Sequence, residues 1–151
     1  RGLEAKVMSM DTRLKHRQVK VCPLVLRRGR NSVEVLLFKH PLAGVQLVKG
    51  TLEESDYSIE AAGLRELAEE SGIKAVYNSH YLGQWESGFQ QQLWHFVRCE
   101  YSQLPDHWTF HTQDDGGHDF EFFWHNLNHP ITSDIHPVYV HALEYVKEIY
   151  L

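Results

Sequence analysis

After a weakly patterned start, short strand-like runs of apolar residues reach to about position 50, a helical period follows, and further strand-like runs precede a last helical stretch. In residues 18–26, Val19, Val21 and Val25 share one face of a strand, and Pro23, which lacks an amide donor, predicts an edge or a bulge. Residues 28–32 read as a turn. Residues 33–38 predict a second strand, apolar on both faces from Val35 onward, as in a strand covered on two sides, and the two make a hairpin. Pro41 and Gly44 break the pattern before a short strand, residues 45–48, that delivers Lys49 and Gly50 to the loop ahead of the first helix.

The helical period occupies residues 57–71. Asp56 is placed to cap the first turn, and Gly72 is the expected left-handed stop. Within residues 49–73 lie Glu53, Glu54, Asp56, Glu60, Glu66, Glu69 and Glu70. Glu66, Glu69 and Glu70 stand at i, i+3 and i+4, which puts them on one strip of a helix, while Ala61, Leu64, Leu67 and Ala68 fall opposite and predict a core-facing side. Crowded carboxylates repel and raise one another's pKa unless a cation sits among them. Oxygen-only ligands suit a hard ion such as Mg2+ or Mn2+.

Beyond the helix, residues 75–86 and 89–101 predict two strands joined at Ser87 and Gly88. Their aromatics, Tyr77, Tyr81, Trp85, Phe89, Trp94 and Phe96, read mainly as core. Residues 102–117 read as a long loop, residues 120–124 as a strand, and Asp134 with Pro137 as a helix start. Val138, Ala142, Tyr145 and Ile149 then repeat at helical spacing. Strands mixed with two such helices fit a sheet covered on both faces, and no repeat or linker divides it.

Composition narrows the picture. The chain has 151 residues, enough for one domain with a core, and 42% hydrophobic with 23% charged residues is ordinary for a soluble globular protein. A net charge of -5 argues against broad nucleic-acid binding, which needs a basic surface. Cys22 and Cys99 have no metal or redox spacing and read as reduced core thiols. No apolar run approaches the ~18 residues of a membrane span, so a cytoplasmic protein is expected. Residues 1–17 read as an N-terminal lead-in and 18–151 as the domain. The residues before Met8 are expected to be an added leader.

Residues 50–73 resemble the Nudix box, G-x5-E-x7-R-E-U-x-E-E-x-G-U with U aliphatic. The second half matches in full at Arg65, Glu66, Leu67, Glu69, Glu70, Gly72 and Ile73. The first half departs: Asp56 stands where a Glu is expected, and eight residues rather than seven separate it from Arg65. Glu121, Trp124 and Leu127 resemble the E-x-x-W-x-x-L run that follows the variable loop in that family.

The resemblance implies an α/β fold, an α/β/α sandwich around a mixed sheet. It implies Mg2+-dependent hydrolysis (Mn2+ serving as well) of a diphosphate linkage in a nucleoside diphosphate joined to another moiety. Carried onto this chain, Glu66, Glu69, Glu70 and the Gly50 carbonyl are metal ligands, and Arg65 orients them. The general base is Glu66 or Glu69 from the box, or Glu121 from the later strand, with His118 a weaker candidate. Lys49 resembles the lysine that precedes the glycine in members acting on dinucleoside polyphosphates. Phe89 stands where those members tend to carry a Tyr, and both are expected at the substrate. The expected partners are a nucleotide or diphosphate substrate and a second copy of the chain, with no membrane. A binding or regulatory module that does not hydrolyse its ligand is the alternative, motivated by the irregular first half of the box.

Overall fold

The computed structural model describes residues 17–113 and 116–151, so nearly all of the expected lead-in lies outside the described residues. The elements run β1 (Val19–Arg28), β2 (Val33–His40), β3 (Gly44–Gln46), β4 (Gly50–Thr51), α1 (Ile59–Ser71), β5 (Asn78–Glu86), β6 (Leu93–Glu100), β7 (His107–Thr112), β8 (His118–Asn126) and α2 (Pro137–Tyr150). The sheet has the order β5-β6-β1-β2-β8-β7, with β3 on β2 and β4 on β1. Among these strands only β1 and β6 pair in parallel, so the sheet is mixed.

Alternation along the central strands sends side chains to two cores, and each core recruits one helix. Val21, Val25, Leu36, Phe38 and Phe122 pack with Ala62 and Leu67 of α1. Cys22, Leu24, Val35, Leu37, Trp94 and Phe96 pack with Val138, Ala142 and Val146 of α2. This is the expected α/β/α sandwich around a mixed sheet.

The site owes its position to a parting of strands. β1 pairs with β2 only at Leu26, Arg27 and Arg28, whereas β4 takes the same side of β1 at Lys20 and Val21. Between these ladders that side of β1 has no strand partner among the described residues, and the sheet is interrupted there. Pro23 sits at this gap, in a strand inside the sheet; of the expected edge or bulge, the edge does not hold. The Gln18 carbonyl accepts from Leu93 of β6 and the Val19 carbonyl accepts from Leu52 on the other side, so by alternation the backbone groups of Val19 and Val21 face β4 and those of Pro23 face the gap beyond it. Proline therefore forfeits no ladder hydrogen bond.

Other boundaries moved. The stretch read as a long loop contains β7, whose Trp108 and Phe110 pack on the α1 side; two aromatics set among His and Thr are a weak strand signal. Ser58, not Asp56, caps α1, its hydroxyl accepting from Ala61 at 3.0 Å. α2 begins at Pro137, as read, with His136 as its cap accepting from Val138. Gly72 takes the expected left-handed turn at φ 79°. Trp94 and Phe96 are core, as read, but Tyr77 and Tyr81 are exposed. Cys22 and Cys99 are buried free thiols.

Candidate active site

Gly50 and α1 build the centre. A methyl group placed on Gly50 would lie 1.9–2.1 Å from the carboxyl atoms of Glu66, so this acid rests directly on the glycine backbone. Only glycine leaves it room. Glu66 and Glu70, one helical turn apart, are 6% and 9% exposed and hydrogen-bonded to each other. Burial pushes the Glu66 carboxyl above the usual carboxylate range, with hydrogen bonds from Glu70 and Arg65 pulling partly the other way. Two carboxyls in contact require a shared proton or a cation between them.

Glu69 behaves differently. Its side chain is 44% exposed and pairs with Arg65 at 3.3 Å. The acids expected on one strip opposite the core thus divide: Glu66 and Glu70 flank the buried stripe of Ala62 and Leu67, and Glu69 faces solvent. The 100° step between neighbours on the helix is enough to separate them.

Arg65 ties the helix to the loop before it. Its Nε and Nη2 donate to the two oxygens of Asp56 at 2.7 and 2.8 Å, and Nη2 reaches the Thr51 carbonyl at 3.2 Å. Its Nη1 donates to Glu66 at 2.8 Å and lies 3.2 Å from Glu53. The bidentate bond from Arg65 holds the Asp56 carboxyl below the usual range, and Arg65 itself is raised further. Asp56 is therefore the partner of the box arginine, not the helix cap. At the far end of α1, Thr112 donates to the Glu69 carbonyl and Trp108 to the Ser71 carbonyl, each at 3.0 Å, satisfying groups that a helix end leaves open.

Two lysines face the acids. The Lys49 ammonium lies 4.8 Å from the Trp94 ring centre and 5.1 Å from that of Tyr139. Lys20 donates to Thr51 at 2.8 Å. Burial lowers both ammonium pKa values, opposed for Lys20 by Glu66 and for Lys49 in part by Glu70, while Lys20 lowers Lys49 further. Half-desolvated cations beside buried acids suit a phosphate chain. Lys20 carries no signal in the sequence; only pairing of β1 with β4 brings it here.

The donors around Gly50 are all oxygen, and the glycine cradle together with the forced Glu66–Glu70 contact fits a hard divalent cation. Among the described residues, no three His, Cys, Asp or Glu side chains converge as a ready-made metal set. Other expected site residues stand apart. Phe89 packs on the α2-side core with its ring 4.7 Å from that of His136. Glu121 is exposed on β8 between Phe120 and Phe122, which face α1, so it points from the opposite face of the sheet, beside Lys39 and Thr109. Trp124 and Leu127 pack into the two cores. The His118 ring lies 4.8 Å from that of His40 at the end of the neighbouring strands.

The helices-and-mixed-sheet sandwich, with a glutamate pair set against a glycine and braced by an arginine, can be matched to a family. The family model described as NUDIX domain matches residues 15–143, and the chain belongs to that family. A comparison with curated proteins found no match. Among solved structures, the NUDIX domain of Shewanella oneidensis NrtR in complex with ADP ribose is similar, at 18% identity and a TM-score of 0.67, covering 98% of this chain and 99% of that one. NrtR of the same organism in complex with a 27mer DNA is similar at 18% identity and a TM-score of 0.55, over 87% of this chain and 61% of that one. A MutT NUDIX hydrolase from Burkholderia pseudomallei is similar at 22% identity and a TM-score of 0.62, over 86% and 98%. These likenesses concern the fold. Among the described residues no helix is long and apolar enough to cross a membrane.

Proposed function

We propose that this chain is a Nudix pyrophosphohydrolase that cleaves a diphosphate linkage in a nucleoside diphosphate joined to another moiety, by attack of water on phosphorus with Mg2+ or Mn2+ bound. The observation that carries the reading is the buried Glu66–Glu70 pair pressed against Gly50. Glu66, Glu70 and the Gly50 carbonyl would hold the cation, with the exposed Glu69 as a further ligand. When bound, the cation neutralises phosphate charge and makes nearby water more acidic. Lys49 and Lys20 hold the diphosphate from the other bank of the cleft, and the aromatic pair around Lys49 fixes where its charge stands. Arg65 keeps Glu66 in place and leaves a box glutamate, Glu66 or Glu69, to take the proton of the attacking water. Glu121 serves only if substrate or a loop movement bridges the sheet.

In a hydrolysis screen over nucleoside triphosphates, dinucleoside polyphosphates, nucleotide sugars, ADP-ribose and 5′-triphosphorylated RNA, at least one substrate turns over with Mg2+. Glu69→Gln and Glu70→Gln each lower that turnover by ~100-fold or more while circular dichroism shows the fold retained. Unchanged turnover in both variants overturns the assignment.

A second reading, a nucleotide-binding regulatory module, is favoured by the likeness to the ADP-ribose-bound NrtR domain over nearly the whole chain. Tight binding of a ligand that is never hydrolysed, measured by calorimetry beside the screen, selects it.

A further inference from the structure

The irregular first half of the box has a geometric explanation, which rests on the active-site reading above. Counted against the family pattern, the extra residue falls between Asp56 and Arg65. Residues Ile59–Ser71 are regular helix and Ser58 is its cap, so the extra residue is not in the helix. Between Asp56 and that cap stands one residue, Tyr57, which is 97% exposed.

Asp56 itself is tightly fixed. Its amide donates to the Glu53 carbonyl at 3.0 Å, and its Oδ2 accepts from the Glu53 amide at 2.8 Å, so a backbone turn and a side-chain bond close the same four residues. From this ring both carboxylate oxygens meet Arg65, seven positions past the cap. Arginine side chains on a helix lean back toward its N-terminus, so Arg65 reaches toward this turn and the remaining gap is set by the loop. An aspartate has one methylene less than the glutamate of the family pattern. Its Cα must therefore come closer to the guanidinium for the same two bonds.

We propose that Asp56 and Tyr57 are a matched pair: a shorter carboxylate delivered to Arg65 by a backbone one residue longer. Asp56 is a positioning residue, acting through Arg65 on Glu66. The ring of Tyr57 is incidental and its peptide unit is the working part. A glutamate on the present loop overreaches and pushes Arg65 off Glu66, and an aspartate on the shortened loop falls short.

The test is a cycle of four full-length proteins: wild type, Asp56→Glu, deletion of Tyr57, and both together. Each single change lowers kcat about 10-fold with KM within about 2-fold, and the double variant returns to within about 3-fold of wild type. Tyr57→Ala, which keeps the length, stays within about 2-fold. The unfolding midpoint of the metal-free proteins follows the same order, each single variant falling by about 3 °C or more and the double recovering most of it. A double variant whose losses are the product of the singles, in both readouts, overturns the proposal. If a single variant is insoluble, return of soluble folded protein in the double supports the pairing and an insoluble double refutes it. Should wild type hydrolyse nothing in the screen, the functional reading fails while the unfolding cycle still decides the pairing.

Discussion

The two flanks of α1 carry the same kind of residue in different surroundings. On one, Glu66 and Glu70 are buried against Gly50, with the Lys49 and Lys20 ammonium groups near and water largely shut out. On the other, the half-exposed Glu69 and Glu53 gather with Asp56 around Arg65. Burial strengthens every charge interaction and makes an uncompensated acid pair want a cation; exposure screens such interactions and leaves bonds that position. The first flank thus holds an acid pair in need of a cation, and on the second Arg65 fixes where Asp56 and Glu69 stand.

After the glutamate variants, the largest expected break comes from Gly50→Ala. The added methyl meets the Glu66 carboxyl, the far end of a flexible side chain, so the acid moves and the backbone does not. Turnover falls about 10- to 100-fold while the unfolding midpoint stays within about 2 °C. Equal losses of stability and activity would mean that the glycine is structural, and the contrast between the flanks would lose its strongest support.

Next in size is a contrast in stability between the acids. Glu66 has a folded pKa raised above its unfolded value, so its ionised form opposes folding; that opposition is complete above the folded pKa and disappears below the unfolded one. Glu66→Gln therefore raises the metal-free unfolding midpoint by about 2–5 °C at pH 8, and the gain closes as pH falls through the carboxylate range. Glu69→Gln, on the exposed flank, shifts it by about 1 °C or less. Thermal unfolding at several pH values with a chelator present checks both.

The narrowest pH signature belongs to the brace. Asp56 has a folded pKa below its unfolded value, so its contribution is present above the ordinary aspartate range and is lost as pH falls through the lowered value. The stability difference between wild type and Asp56→Asn should be constant from pH 8 down to pH ~5 and shrink only below pH ~4. A difference that grows toward acid pH would separate Asp56 from Arg65.

Much of this was legible in the sequence because it is local. Helical spacing with Gly72 as stop marked α1, alternation marked β1, an apolar run marked β2, an aromatic-rich stretch marked β6, and the nine residues from Arg65 to Ile73 marked the family. Local pattern failed where two signals compete or where neighbours lie far apart in the chain. Asp56 and Ser58 are both good caps two residues apart, and the pull of Arg65 from nine positions on decides between them. β7 was hidden because its partner β8 and its contacts to Ser71 and Glu69 supply the stability that its composition does not announce.

Alternating strands and two amphipathic helices, one bearing a half-box of glutamates, are written in the order of residues alone. Which of those glutamates are buried is settled by packing. A helix has no inside or outside until it is laid on a sheet, and here the parting of β1 from β2 and the arrival of Gly50 beside Val21 leave Glu66 and Glu70 buried and Glu69 to Arg65.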